Sequence, residues 1–206
     1  MPKKNVIPDS TDNRIDSLYL SALYSPRAWL EVARKLRLAA EKIDIFQLKD
    51  LKAAILNYDK VKIAHREKFH ELWDLFPIRQ FLMGRAFENL IKGVIITQGI
   101  SVTNEKGEVV DWFRHHDIDR LLVRLDTSKF TLTEEEQRLL RSFKPFVKWS
   151  GSYPVRLKSA DYQRQVALSE NENRKQMKLW DRLVDSIENA SAESTLRDVR
   201  NRQEPT

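Results

Sequence analysis

The chain has 206 residues with 41% hydrophobic and 32% charged content, which suits one globular domain with a well-solvated surface and argues against a chain disordered throughout. It contains no cysteine, so disulfide scaffolds, Cys-ligated zinc, iron–sulfur clusters and thiol catalysis are excluded together. The net charge of +6 is concentrated between Arg141 and Lys178, a basic cluster of the kind a phosphate backbone attracts, although a solvated helix face is the plainer reading.

Only five glycines among abundant Ala, Leu, Lys, Arg and Glu point to long helices joined by short turns. Residues 1–13 and 190–206 are polar and read as disordered tails flanking a single helical domain over 14–189. A short helix is expected over Arg14 to Tyr24. Ser25-Pro26 then supplies an N-cap and a first-turn proline for a helix to about Ile43, with Trp29, Leu30, Val32, Ala33, Leu36, Ala39, Ala40 and Ile43 on its apolar face. Gln47 to Leu75 reads as one long or once-broken helix that Pro77 ends.

Ile78 to Gln98 is the most apolar segment and is predicted to be the central helix, with Gly99 as its left-handed C-cap. Gly84 and Gly93 inside it are costly unless a neighbouring helix approaches closely. Ile100 to Phe113 reads as a loop or small hairpin, and His115 to Leu125 as a short amphipathic helix. Thr133 with Glu136 forms a capping box that opens a helix to about Trp149, and Ser169 with Glu172 forms another ahead of a last helix to about Asn189. The fold class is all-α, a bundle of six or seven helices.

No phosphate-cradling glycine loop and no H-E-x-x-H motif occurs, and His65 and His70 are wrongly spaced to share a metal on one helix. No metal or other cofactor is expected. Nor does any apolar run suffice to cross a bilayer, so a cytoplasmic protein without a membrane partner is the default.

Three groups of residues carry candidate chemistry. Arg114, His115, His116 and Asp117 gather a guanidinium, two imidazoles and a carboxylate before a helix. Imidazole exchanges protons near neutrality, so the set can serve as a general acid–base site, while the plainer reading is a helix cap formed by Asp117. Glu88 and Lys92 stand four apart in the order that favours an ion pair; a surface salt bridge is the simpler account, and a buried carboxylate near the histidines is the functional one. Lys148, Trp149, Tyr153, Arg156 and Lys158 interleave cations with aromatics, a pattern that can stack bases while neutralising phosphates or can simply close the core.

The stretch Phe81 to Ile100, followed by His116-Asp117-Ile118 and then Trp149-Ser150-Gly151-Ser152-Tyr153-Pro154, resembles the HEPN superfamily over about residues 78–156. That resemblance implies an up-and-down bundle that homodimerises and associates with RNA or a nucleotide, in a prokaryotic stress or defence setting. Its catalytic branches cleave RNA with an Arg followed a few residues later by a His. No His follows Arg156 here, so the resemblance implies a non-catalytic or weakly catalytic protein. The alternatives are a metal-independent ribonuclease using Arg114, His115 and His116 with Glu88, and a protein-interaction module.

Overall fold

The computed structural model describes residues 19–56, 63–148 and 170–203, with side chains described for 19–43, 77–147 and 173–193. Among the described residues a helical turn at 19–23 precedes seven helices: α1 Pro26–Leu56, α2 Ile63–Thr97, α3 Asp111–Arg114, α4 Ile118–Leu122, α5 Glu134–Ser142, α6 Lys144–Lys148 and α7 Glu170–Gln203. Among the described residues the only β-type pairing is one isolated bridge between Thr103 and Val109. The protein is therefore all-α.

The direction of the helices follows from which side chains meet. In α1 and α2, Pro26 lies beside Gly93 and Trp29 beside Lys92, an antiparallel pairing. Phe143 stacks on Phe87 and, with Val147, lies over Gly84, so α5 and α6 together run back along α2. Trp180 meets Phe87 and Ile187 meets Gly93, which makes α7 parallel to α2. Arg34 pairs with Glu188 and Arg37 lies over Trp180, so α7 is antiparallel to α1 and closes the ring of neighbours.

The centre of this arrangement is α2. Ala86, Phe87, Leu90, Ile91, Val94 and Ile95 are wholly buried, because the helix is apolar on more than one side and has neighbours on each. Its two glycines mark the closest approaches: a Cβ on Gly84 would sit 2.6 Å from Val147 Cγ2, and one on Gly93 would sit 2.7 Å from Ile187 Cδ1. Gly99 has φ of 77° and ends the helix in the left-handed conformation expected of it.

Several expected boundaries need correction. Ser25 caps α1 as anticipated, accepting from the Ala28 amide at 3.3 Å, but the helix runs through Ile43 to Leu56 because nothing in 44–56 breaks it. Val32, placed on the apolar face, is exposed. Pro77 lies inside α2 rather than ending it. A proline inside a helix removes one hydrogen bond and crowds the carbonyl four residues back, and the burial of the residues that follow it in α2 outweighs that cost.

The expected helix over 115–125 is reduced to α4, Ile118–Leu122, capped by Asp117, while the end of the segment expected as a loop carries the short α3; the two are separated where His115 turns extended (φ −73°, ψ 145°). The expected helix to Trp149 breaks at Phe143, since Pro145 has no amide to donate to the carbonyl four residues back. The Thr133 capping box is present, with the Glu136 amide on the threonine hydroxyl at 3.2 Å and the Glu136 carboxylate on the Thr133 amide at 2.8 Å. The last helix continues past Asn189 to Gln203, so the segment assigned to a tail from 190 is largely helical; it contains no Gly or Pro before Pro205. The second capping box, at Ser169, lies outside the described residues.

Candidate functional site

A buried charge cluster on α2 is the most distinctive polar feature of the described core. Arg85, Glu88 and Lys92 follow one another at helical spacings of three and four, so the three side chains share one face. Glu88 is 1% exposed, and its side chain is fully partnered: Oε2 accepts from Arg85 Nη1 at 2.8 Å, and Oε1 accepts from Lys92 Nζ at 2.7 Å and faces His116 Nδ1 at 2.9 Å. A carboxylate this deep needs such partners, because taking it out of water unpaired costs several kcal/mol or more.

His116 reaches Glu88 because its segment is pinned at both ends. Phe113, the last buried residue of α3, and Ile118, the first residue of α4, are each 1% exposed. Between them the chain is extended, and the Asp117 carboxylate caps α4 by accepting the Asp119 amide at 3.1 Å. The imidazole is thereby laid against Glu88 of α2. A single ring nitrogen cannot both donate to Glu88 and accept from Arg85; in the neutral tautomer that donates from Nδ1 to the carboxylate, Nε2 is left as the acceptor. Arg85 Nη1 also lies directly against His116 Nδ1.

Lys92 forms the floor. Its ammonium lies 5.3 Å from the Trp29 ring centroid and 5.1 Å from that of Phe113, and these two rings meet edge to face at 5.2 Å. Trp29 is fixed in turn by its indole N–H, which donates to the Leu23 carbonyl at 2.9 Å. Burial pushes the Lys92 ammonium below the usual lysine range, and the Glu88 carboxylate works against that shift. The aromatic faces help to hold the cation in place.

Exposure rises steadily outward. Side-chain exposures are 1% for Glu88, 5% for Lys92, 23% for Arg85 and 42% for His116, so the carboxylate and ammonium are interior while the guanidinium and imidazole form the mouth. Three basic groups around one carboxylate leave an excess of cationic and donor character where the cluster meets solvent. Such a mouth can receive an anion, and an imidazole backed by a carboxylate can accept a proton.

The candidate residues divide accordingly. Glu88 and His116 are brought together, and the Glu88–Lys92 pair is buried, which corrects the surface salt bridge taken as the simpler account. Asp117 is a cap, as its plainer reading held. Arg114 and His115 are exposed and stand apart from the Glu88 contacts; Arg114 Nη2 donates to the Val109 carbonyl at 3.2 Å. The sequence reading missed Arg85 as a site residue, although its place three residues before Glu88 was the available signal. Trp29 carried no signal at all, because only the antiparallel packing of α1 on α2 puts it over Lys92.

The aromatic and cationic set falls mostly elsewhere. Lys148 is the last residue of α6, its side chain outside the described set, and Trp149, Tyr153, Arg156 and Lys158 lie outside the described residues. Part of the basic excess beyond Arg141 is matched internally: Arg141 Nε donates to Asp119 at 2.9 Å, and Lys144 pairs with Asp119 and Lys175 with Glu135. Among the described residues no helix is long and apolar enough to cross a membrane. No protein-family model matches the chain, and no curated protein or solved structure is detectably similar to it.

Proposed function

We propose that this is a HEPN-like RNA- or nucleotide-associated protein, non-catalytic or weakly catalytic, that engages a phosphate at the mouth formed by Arg85 and His116. The observation that carries the reading is the buried Glu88 carboxylate with Arg85, Lys92 and His116 gathered on it. A guanidinium and an imidazole held rigidly from behind are prepared to meet a phosphate without losing side-chain freedom on binding. The homodimer and the stress or defence setting remain expectations of the HEPN resemblance and belong to this proposal.

A second reading, metal-independent RNA cleavage, is favoured by one specific contact: an Arg and a His from different elements meet over a carboxylate. In that reading His116 Nε2 removes the proton from a ribose 2′-hydroxyl, the resulting oxygen attacks the adjacent phosphorus, and Arg85 steadies the phosphate while the 5′-oxygen leaves with a proton from solvent. It differs from the sequence reading in using Arg85 in place of Arg114.

Purified protein incubated with labelled single-stranded RNA in the presence of a chelator separates the two. Binding that weakens in Arg85→Ala and His116→Ala but not in His115→Ala, without product, supports the phosphate-binding reading. Product formed by wild type and lost in His116→Ala establishes cleavage. Equal effects of His115→Ala and His116→Ala would overturn both assignments to this cluster.

A further inference from the structure

The segment that delivers His116 also carries an aromatic and cationic surface that the phosphate contact does not use. Trp112, in α3, is half-buried, its ring edge to face with Phe113 at 5.6 Å. The Arg124 guanidinium lies 5.3 Å from the Trp112 ring centroid, and Arg124 is itself exposed. Arg120 is exposed on α4, and Val123 beside Arg124 is 82% exposed, the most exposed large apolar residue described. Of the three carboxylates in 111–124, Asp111 is exposed in the first turn of α3, Asp119 is taken by Arg141 and Lys144, and Asp117 caps α4 and faces Lys144 at 3.8 Å, which leaves Asp111 against the exposed Arg114, Arg120 and Arg124. The cationic side chains thus dominate this outer surface.

We infer that Trp112 and Arg124 form a base-stacking subsite for single-stranded RNA, next to the Arg85–His116 phosphate contact. The inference rests on the phosphate-binding reading and assigns it a substrate class. A guanidinium held over an indole face, together with that face, offers planar surfaces to a nucleobase, and bases stack on arginine and aromatic faces without sequence preference. Trp112 precedes His116 by four residues, so their Cα atoms are at most about 14 Å apart, a reach suited to a base near the phosphate held at the mouth. Arg120, exposed on α4 between His116 and Arg124 in the chain, supplies a further backbone contact.

The test uses the full chain and two labelled ten-nucleotide strands, one of uridines and one an abasic ribose-phosphate strand, with binding read by fluorescence anisotropy at fixed salt. Trp112→Leu and Arg124→Lys are each expected to weaken binding of the uridine strand by roughly 5- to 150-fold, the range that corresponds to stacking of one base. Neither should change binding of the abasic strand, whereas Arg85→Ala and His116→Ala should weaken both. Arg124→Lys keeps the charge at an exposed position and so serves even if Trp112→Leu folds poorly. Uridine and abasic strands that respond alike to Arg124→Lys would overturn the subsite while leaving the phosphate reading intact. Unchanged binding in Arg85→Ala and His116→Ala overturns the phosphate reading, and a wild-type protein that binds neither strand overturns both.

Discussion

His116 Nδ1 lies 2.9 Å from Glu88 Oε1, although the two residues are 28 positions apart and belong to different elements. The contact ties the short α3–α4 segment to the core helix. It also places a half-exposed imidazole on a buried carboxylate, which gives the pair both a structural and a chemical consequence.

Structurally, Glu88 is the common partner of three basic groups, so removing its charge is more damaging than removing any one of them. Glu88→Gln leaves Lys92 buried without a counter-ion and is expected to cost about 3–5 kcal/mol, the usual penalty for breaking a buried pair from one side. Lys92→Met leaves Glu88 with Arg85 and His116 and fills the space over Trp29 and Phe113 with an apolar chain, so its loss should be smaller. Urea unfolding of the two variants decides; a Lys92→Met loss equal to or larger than that of Glu88→Gln contradicts the account.

The two helix-packing glycines should respond unequally to alanine. At Gly84 the added Cβ meets Val147 Cγ2 at 2.6 Å and Phe143 Cβ at 2.9 Å, both close to their backbones and slow to give way. At Gly93 it meets the flexible tip of Ile187, at 2.7 Å. Gly84→Ala is therefore expected to destabilise by about 1–3 kcal/mol, the usual cost of overpacking, and Gly93→Ala by less. Ile187→Val, which removes the colliding methyl group, should recover part of the Gly93→Ala loss in a thermal melt and none of the Gly84→Ala loss.

The Asp119 ion-pair group makes a pH prediction with a definite sign. The Lys144 hydrogen bond, seconded by Arg141, holds the Asp119 carboxyl below its ordinary value of 3.8. A carboxyl lowered on folding contributes stability above its unfolded value, and the contribution disappears as pH falls through the folded value. The same hydrogen bond raises Lys144 above 10.5, so its share is present below that pH and lost as pH rises through the folded value. The gap in melting temperature between wild type and Asp119→Asn should thus be widest at neutral pH and close at both extremes. A gap that stays constant from pH 7 to well below pH 3.8, through the range where the carboxyl becomes protonated in the folded protein, would show that the pair contributes nothing.

The capping box offers a local check. Thr133→Ala removes the hydroxyl that accepts the Glu136 amide and should cost about 1 kcal/mol. Glu136 additionally receives Arg182 from α7, so Glu136→Ala loses both the reciprocal cap and a tie between helices and should cost more. A Glu136→Ala variant as stable as Thr133→Ala would mean that the Arg182 contact is energetically empty.

Much of the architecture was written locally in the chain. The apolar run around Ala86–Ile95 marked the central helix because residues buried on several sides have no polar face to hide it. Ser25-Pro26, Thr133 with Glu136, and Gly99 announced helix ends because a cap acts through backbone groups within a few residues. The same locality misled where long-range packing outweighed a local breaker, as at Pro77, or where no breaker existed at all, as beyond Ile43 and Asn189.

The sequence by itself determined that the protein is helical, that the helix bearing Arg85, Glu88 and Lys92 is central, and that a guanidinium, two imidazoles and a carboxylate cluster at 114–117. Only the tertiary structure decided which histidine meets the carboxylate, that Arg85 stands at the mouth instead of Arg114, and that Trp29 and Phe113 enclose the ammonium. The reason is physical: periodicity fixes which side chains share a face of one helix. A contact between elements depends on how separate segments are anchored, here by the burial of Phe113 and Ile118 on either side of His116.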